Sequence, residues 1–176
     1  MNSTNQVVFA HSGGYSYLTP LDYIPPLEKK TYTADKLDLD YYPAFLDTVQ
    51  AAYLYQYLEE NVTWPEKAYK GKRVNQAYGN KGLSYEIKIG GFSPDRPLTI
   101  IKRETVPWDT LTLLPILRDR VSAITSEQYD YCVIQKYVGY KAQIAPHRDK
   151  EMFRGSIAGV SVGAERYFAM TPPRYV

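Results

Sequence analysis

The order of elements predicts an α+β fold, with two helices followed by a run of strands and packed against a β-sandwich or jelly roll. Two stretches carry apolar residues at helical spacing, one ending near Glu60 and one starting near Trp108. From Tyr129 the chain turns to strands, at 129–137, around 141–145, 157–162 and 166–170.

Taken in order, residues 1–30 are rich in Ser, Gly, Pro and Asn and show no sustained period. Pro20, Pro25 and Pro26 forbid a regular helix there, so a loosely ordered arm over 1–36 is expected, with one domain over 37–176. Leu37 to Tyr42 alternates as a short strand, and Pro43 ends it. Asp47 or Thr48 can cap the first helix, whose apolar stripe is Val49, Ala52, Tyr55 and Leu58; Asn61 and Pro65 stop it. Gly79-Asn80-Lys81-Gly82 reads as a turn, Leu83 to Ile89 as a strand and Gly90 to Pro97 as a loop. The second helix starts near Trp108 or Asp109, with Leu111, Leu114, Leu117, Val121 and Ile124 on its buried face. Pro115 falls in its first turns, where a proline costs least.

Composition bounds the function classes. The chain has 176 residues, 44% of them hydrophobic, enough for a compact domain with a real core. A net charge of +2 is too mild to imply nucleic acid, so any basic surface must be local. One cysteine, Cys132, excludes an intramolecular disulfide framework and fits a reducing, intracellular compartment. It sits in an apolar run, as a buried and inert thiol. No stretch approaches the ~18 apolar residues that span a bilayer, and the N-terminus does not read as a secretory signal. The 18 tyrosines mostly suit strands, though each also offers a stacking face and a polar tip.

The segment that carries chemistry is 133–168, centred on His147-Arg148-Asp149. A His and an Asp two apart on extended chain project to the same side and can give one nitrogen and one oxygen to a single metal. That is two-thirds of a facial triad of two histidines and a carboxylate. His-x-Asp alone is a weak signal. Around it stand Tyr137, Gly139, Pro146, Glu151, Ile157, Val160-Ser161-Val162-Gly163, Arg166 and Phe168. In this order they resemble the core pattern of the AlkB-like iron(II)/2-oxoglutarate dioxygenases. The resemblance extends upstream: LDYYPAFLDTVQAAYLYQYLEENVTW looks like the family's entry strand and first helix. KRVNQAYGNKGLSYEI looks like its substrate lid, and VPWDTLTLLPILRDRV like its second helix. The likeness spans about 37–170 without a large insertion.

The resemblance implies a double-stranded β-helix core and oxidative dealkylation of nucleic-acid bases in DNA or RNA. His147 and Asp149 would hold Fe(II), and Tyr137 would hydrogen-bond 2-oxoglutarate. Gln135 stands where the family usually has asparagine, so it either makes that residue's contact with a longer reach or misses it. Oxygen and 2-oxoglutarate would yield succinate, carbon dioxide and a hydroxylated alkyl group that leaves as an aldehyde. A base must leave its stack to reach the metal, so Tyr78 and Tyr85 are the expected base contacts. Arg73 and the lysines around it would track phosphates, Arg148 and Glu151 would read the substrate, and Arg166 would contact the nucleotide or the fold. The same basic and aromatic residues could instead form an ordinary solvated face.

The family's second iron histidine and its 2-oxoglutarate arginine lie downstream of the Ser-x-Gly strand. His11 is on the wrong side of the motif, and Arg174 is too close to Asp149. The chain is therefore expected to be a fragment, with an incomplete jelly roll and open sheet edges, and to act as a monomer. A catalytically incomplete nucleic-acid binding module on the same fold is the alternative, and a protein-side-chain hydroxylase is a third. The tyrosine-rich lid argues against the third, because a protein substrate needs no base-stacking pocket.

Overall fold

The computed structural model describes residues 8–11, 14–17, 20–34, 37–65, 73–89, 97–145, 147 and 156–170. Among them are two α-helices and four small sheets, an α+β architecture. The chain divides into two compact units, Met1–Glu60 with Gly159–Val176, and Asn61–Ala158. No helix among the described residues is long and apolar enough to cross a membrane.

In the first unit, the stretch expected to be a loose arm carries paired strands. β1 (Val8–His11) runs antiparallel to β2 (Gly14–Tyr17), and β3 (Lys30–Ala34) antiparallel to β4 (Leu37–Tyr41). Polar cross-strand bonds, invisible to a hydropathy scan, pin the second hairpin: Thr31 Oγ1 donates to Asp40 at 2.6 Å and Lys29 Nζ at 3.1 Å. The Thr31 hydroxyl, and then Lys29, hold the Asp40 carboxyl below its ordinary range.

Helix α1 (Thr48–Asn61) begins with a reciprocal cap. Asp47 Oδ1 accepts from the Gln50 amide at 2.8 Å, and Gln50 Oε1 accepts from the Asp47 amide at 3.1 Å. The helix buries Gln50 and Leu54, not the expected stripe: Val49 and Tyr55 are exposed. A polar residue occupies the inner face because its Nε2 donates to the carbonyls of Pro20 and Tyr23. Those bonds rotate the buried face by about one residue from the apolar count.

The second unit is built around β5 (Arg73–Gly79), central in a sheet of order β8–β5–β9. β9 (Tyr131–Tyr137) pairs with it antiparallel along its whole length, and β8 (Val106–Pro107) pairs parallel at Tyr78 and Gly79. β6 (Ser84–Ile89) and β7 (Thr99–Glu104) form a separate antiparallel ribbon, and Gly82 (φ +82) makes the turn into it. Gly79 is required by space: a Cβ there would stand 2.9 Å from Asp130 O, Leu83 Cδ2 and Thr105 Oγ1. Helix α2 (Leu113–Thr125) follows a 3-10 turn at Trp108–Thr110 and ends at Ser126 in the left-handed conformation (φ 58). Trp108, Leu111, Leu113 and Leu114 are buried as a cluster. Trp108 Nε1 donates to Asn80 Oδ1 at 3.1 Å, fastening this cluster to the turn after β5.

Three of the expected strands do not form. Residues 141–145, 157–162 and 166–170 have no strand pairing. Their alternation is real, but a strand exists only where a neighbour accepts its backbone bonds, and alternation alone does not supply one.

Candidate functional site

The β5–β9 register decides which candidate residues meet. Residues opposite each other in an antiparallel pair share a face, and faces alternate along each strand. Arg73 lies opposite Tyr137, Asn75 opposite Gln135, Ala77 opposite Val133 and Gly79 opposite Tyr131. These eight residues form one face. Val74, Gln76 and Tyr78, with Lys136, Ile134 and Cys132, form the other.

On the first face three predicted residues meet. Tyr137 Oη donates to Gln135 Oε1 at 2.7 Å, and Arg73 Nη1 donates to the same oxygen at 3.3 Å. Gln135 is exposed, while Arg73 and Tyr137 are half-buried, so the cluster is open to a ligand. Six residues back along β9, roughly 20 Å at strand rise, Tyr131 packs against Tyr85 with ring centroids 5.7 Å apart and planes tilted by 57°. The face therefore runs from an aromatic pair to a polar cluster carrying a positive charge. Tyr131 was not singled out from the sequence. Its signal is its even spacing from Gln135 and Tyr137, which becomes readable once β9 is known to be a strand.

Tyr78 sits on the other face, 3 % exposed, and is not presented to a stacked base. Tyr78 and Arg73, both expected at the substrate, are five residues apart on one strand and so point to opposite sides. On that other face Lys136 Nζ lies 5.4 Å from the centre of the Trp64 ring. Burial pushes the Cys132 thiol up to about 12, which suits an inert core residue.

Beyond β9 the chain turns at Gly139 (φ +76), where the Ala142 amide donates to Gly139 O at 3.2 Å. His147 follows, exposed, with Nδ1 2.9 Å from Ala145 O. A carbonyl only accepts, so Nδ1 carries a proton. A metal-binding histidine is commonly held this way, so His147 fits the role of an iron ligand. Asp149, Arg148 and Glu151 lie outside the described residues, as do Lys67, Lys70 and Lys72 beside Arg73. Among the described residues no three His, Cys, Asp or Glu side chains converge. Arg166 is exposed and belongs to the unit formed by Met1–Glu60 and Gly159–Val176.

Two curated proteins are similar to this chain. It is 34% identical over 99 residues to the DNA oxidative demethylase ALKBH2 of Bos taurus, covering 54% of this chain and 31% of that protein. It is 33% identical over 99 residues to the DNA oxidative demethylase ALKBH2 of Homo sapiens, covering 54% of this chain and 33% of that protein. The chain thus spans about a third of the length of the curated relatives it matches. No family model matches, and no solved structure matches.

Proposed function

This chain is AlkB-like, and from that premise we propose that it takes part in oxidative demethylation of alkylated bases in DNA, as an Fe(II)- and 2-oxoglutarate-dependent dioxygenase. The observation that carries the reading is the open β5–β9 face. It sets Gln135 and Tyr137 beside the Arg73 charge and places the Tyr85–Tyr131 pair further along the same strand pair. One end suits a small polar co-substrate and the other an unstacked base.

In this reading His147 Nε2 and the Asp149 carboxylate would hold Fe(II). The metal, with oxygen and 2-oxoglutarate, supplies the oxidation of the alkyl carbon. The protein's residues position and exclude. Ala145 O keeps the His147 ring in the tautomer that binds metal. Gln135 and Tyr137 orient the co-substrate. Tyr85 and Tyr131 offer stacking surface, Arg73 supplies positive charge, Arg148 and Glu151 read the substrate base, and Arg166 contacts the nucleotide or the fold. A jelly-roll core would shield the reacting carbon from water. The protein acts as a monomer inside the cell, and RNA is a second substrate class.

Succinate formation from 2-oxoglutarate, measured with and without an N-methylated oligonucleotide, tests this. Substrate-stimulated turnover that disappears in His147→Ala and in Asp149→Ala is expected. Turnover that survives both substitutions refutes the metal assignment. Oligonucleotide binding with no turnover at all leaves the nucleic-acid binding module as the function.

A further inference from the structure

The β6–β7 ribbon has two unlike faces. Residues opposite each other across the pair share a face, and faces alternate along each strand. Tyr85 lies opposite Arg103 and Ile87 opposite Ile101, so these four share one face. Glu86 lies opposite Lys102 on the other, which also carries Glu104. Lys102 and Arg103 are adjacent in sequence and both exposed, and hydropathy does not tell them apart. Their cross-strand neighbours do. Lys102 stands opposite a carboxylate, the ordinary complement across a solvated strand pair. Arg103 stands opposite an aromatic ring, with the half-buried Ile87 and Ile101 next on the same face. Among the described residues no carboxylate pairs with Arg103. Tyr85 in turn packs on Tyr131 of β9, 5.7 Å between ring centroids, so Arg103 flanks the aromatic end of the candidate site.

An arginine beside an aromatic pair, with no acid of its own, suits a ligand that is flat at one end and anionic at the other. We infer that Arg103 is the backbone anchor of this face: its guanidinium holds a phosphate of a nucleic-acid strand next to the nucleotide whose base lies against Tyr85 and Tyr131. That the ligand is a base in a strand rests on the proposed function. Directly opposed side chains leave the backbone about 5 Å apart, and in a nucleotide one sugar joins the base to its phosphates, so neighbouring groups of one ligand meet neighbouring side chains. An acidic peptide offers the charge without a base to stack, so a strand is the partner that uses both residues. Arg103 contributes affinity and register rather than base identity, because the phosphate is the same beside every base. The consequence is a preference for bases carried in a strand over free nucleosides, which have no phosphate to hold.

Binding of a methylated single-stranded DNA oligonucleotide, followed by fluorescence anisotropy across a range of salt, tests the anchor. Arg103→Met is expected to weaken binding about tenfold, the loss of one charge-assisted hydrogen bond. It should also flatten the plot of log affinity against log salt by about 0.7, one phosphate contact on a single strand. Lys102→Met removes the same charge one residue away on the opposite face and should leave both quantities near native. Arg103→Lys keeps the charge and should keep the slope, and Arg103→Gln is a second neutral variant should the first fail to fold. A native slope in the neutral Arg103 variants overturns the proposal. So does an equal loss in Lys102→Met, which makes the effect one of net charge alone. In competition, a methylated nucleoside monophosphate should displace the oligonucleotide better than the nucleoside does, and lose that advantage in Arg103→Met. A polyglutamate peptide that competes as well as unlabelled oligonucleotide assigns the face to an acidic protein and overturns the proposal, as does a native protein that binds no oligonucleotide. An Arg103-dependent slope in a protein that forms no succinate refutes the proposed function and upholds the anchor. Substrate-stimulated succinate formation with a slope indifferent to Arg103 does the reverse.

Discussion

Gln50 makes the sharpest stability prediction. It is 1 % exposed, and its side chain serves three backbone groups: the carbonyls of Pro20 and Tyr23 and the amide of Asp47. Gln50→Leu keeps the bulk and removes every polar atom. Each buried backbone group left without a partner costs about 1–3 kcal/mol, less where water reaches it. A total of about 3 kcal/mol is expected, at the low end for three groups because the Pro20–Tyr23 segment can shift toward solvent. Asp47→Ala removes one capping acceptor and should cost about 1 kcal/mol. Gln50→Glu points a carboxylate at two carbonyl oxygens. Its folded pKa is then raised above the unfolded value of about 4.3, so its deficit is full at pH 7 and shrinks as pH falls through the folded pKa. Urea unfolding followed by ellipticity at a helix wavelength measures all three. With a slope of about 2 kcal/mol/M, Gln50→Leu should lower the midpoint by roughly 1.5 M and Asp47→Ala by roughly 0.5 M. Equal shifts for the two would show that Gln50 matters only as a cap. A Gln50→Leu midpoint within about 0.25 M of native would show that the carbonyls need no partner.

Other perturbations report on the second unit. Gly79→Ala must displace the Asp130 carbonyl and the Thr105 hydroxyl, both held in hydrogen bonds, so it should destabilise by about 1–3 kcal/mol in the same urea assay. The Cys132 thiol, held up at about 12 against an ordinary 9.0, should resist a thiol-reactive disulfide reagent at pH 8 until urea is added. Because the unfolded thiol ionises first, this group removes stability as pH rises between 9.0 and about 12 and has no effect below, which a Cys132→Ala comparison of alkaline melting isolates. Tyr85→Ala should weaken single-stranded DNA binding by about 1–3 kcal/mol with folding intact, whereas Tyr78→Ala should lose about 3 kcal/mol of stability, since its ring is buried. A reversal of those two effects in binding and melting experiments would undo the assignment of faces. His147→Ala should abolish Mn(II) binding read by electron paramagnetic resonance, and an unchanged spectrum would remove His147 from the metal site.

The sequence by itself determined the local elements and the chemistry they could carry. Alternation marked Leu37 to Tyr42, Leu83 to Ile89 and 129–137, close to the strands that form; a capping residue with helical spacing marked the first helix, and helical spacing the second, which starts at Leu113 after a 3-10 turn rather than near Trp108. Residue order alone also carried the AlkB-like pattern, in agreement with the 99-residue matches. Tertiary structure decided what no one-dimensional period contains. Polar bonds between distant segments put Gln50 inside and left Val49 and Tyr55 outside. Strand partners decided that Tyr131–Tyr137 is paired while 157–162 is not, because a strand needs a neighbour for its backbone bonds and alternation names none. The β5–β9 register separated Tyr78 from Arg73 and brought Arg73 to Gln135 across 62 positions of sequence. A side chain's own period says which neighbours share its face; only pairing says what that face meets.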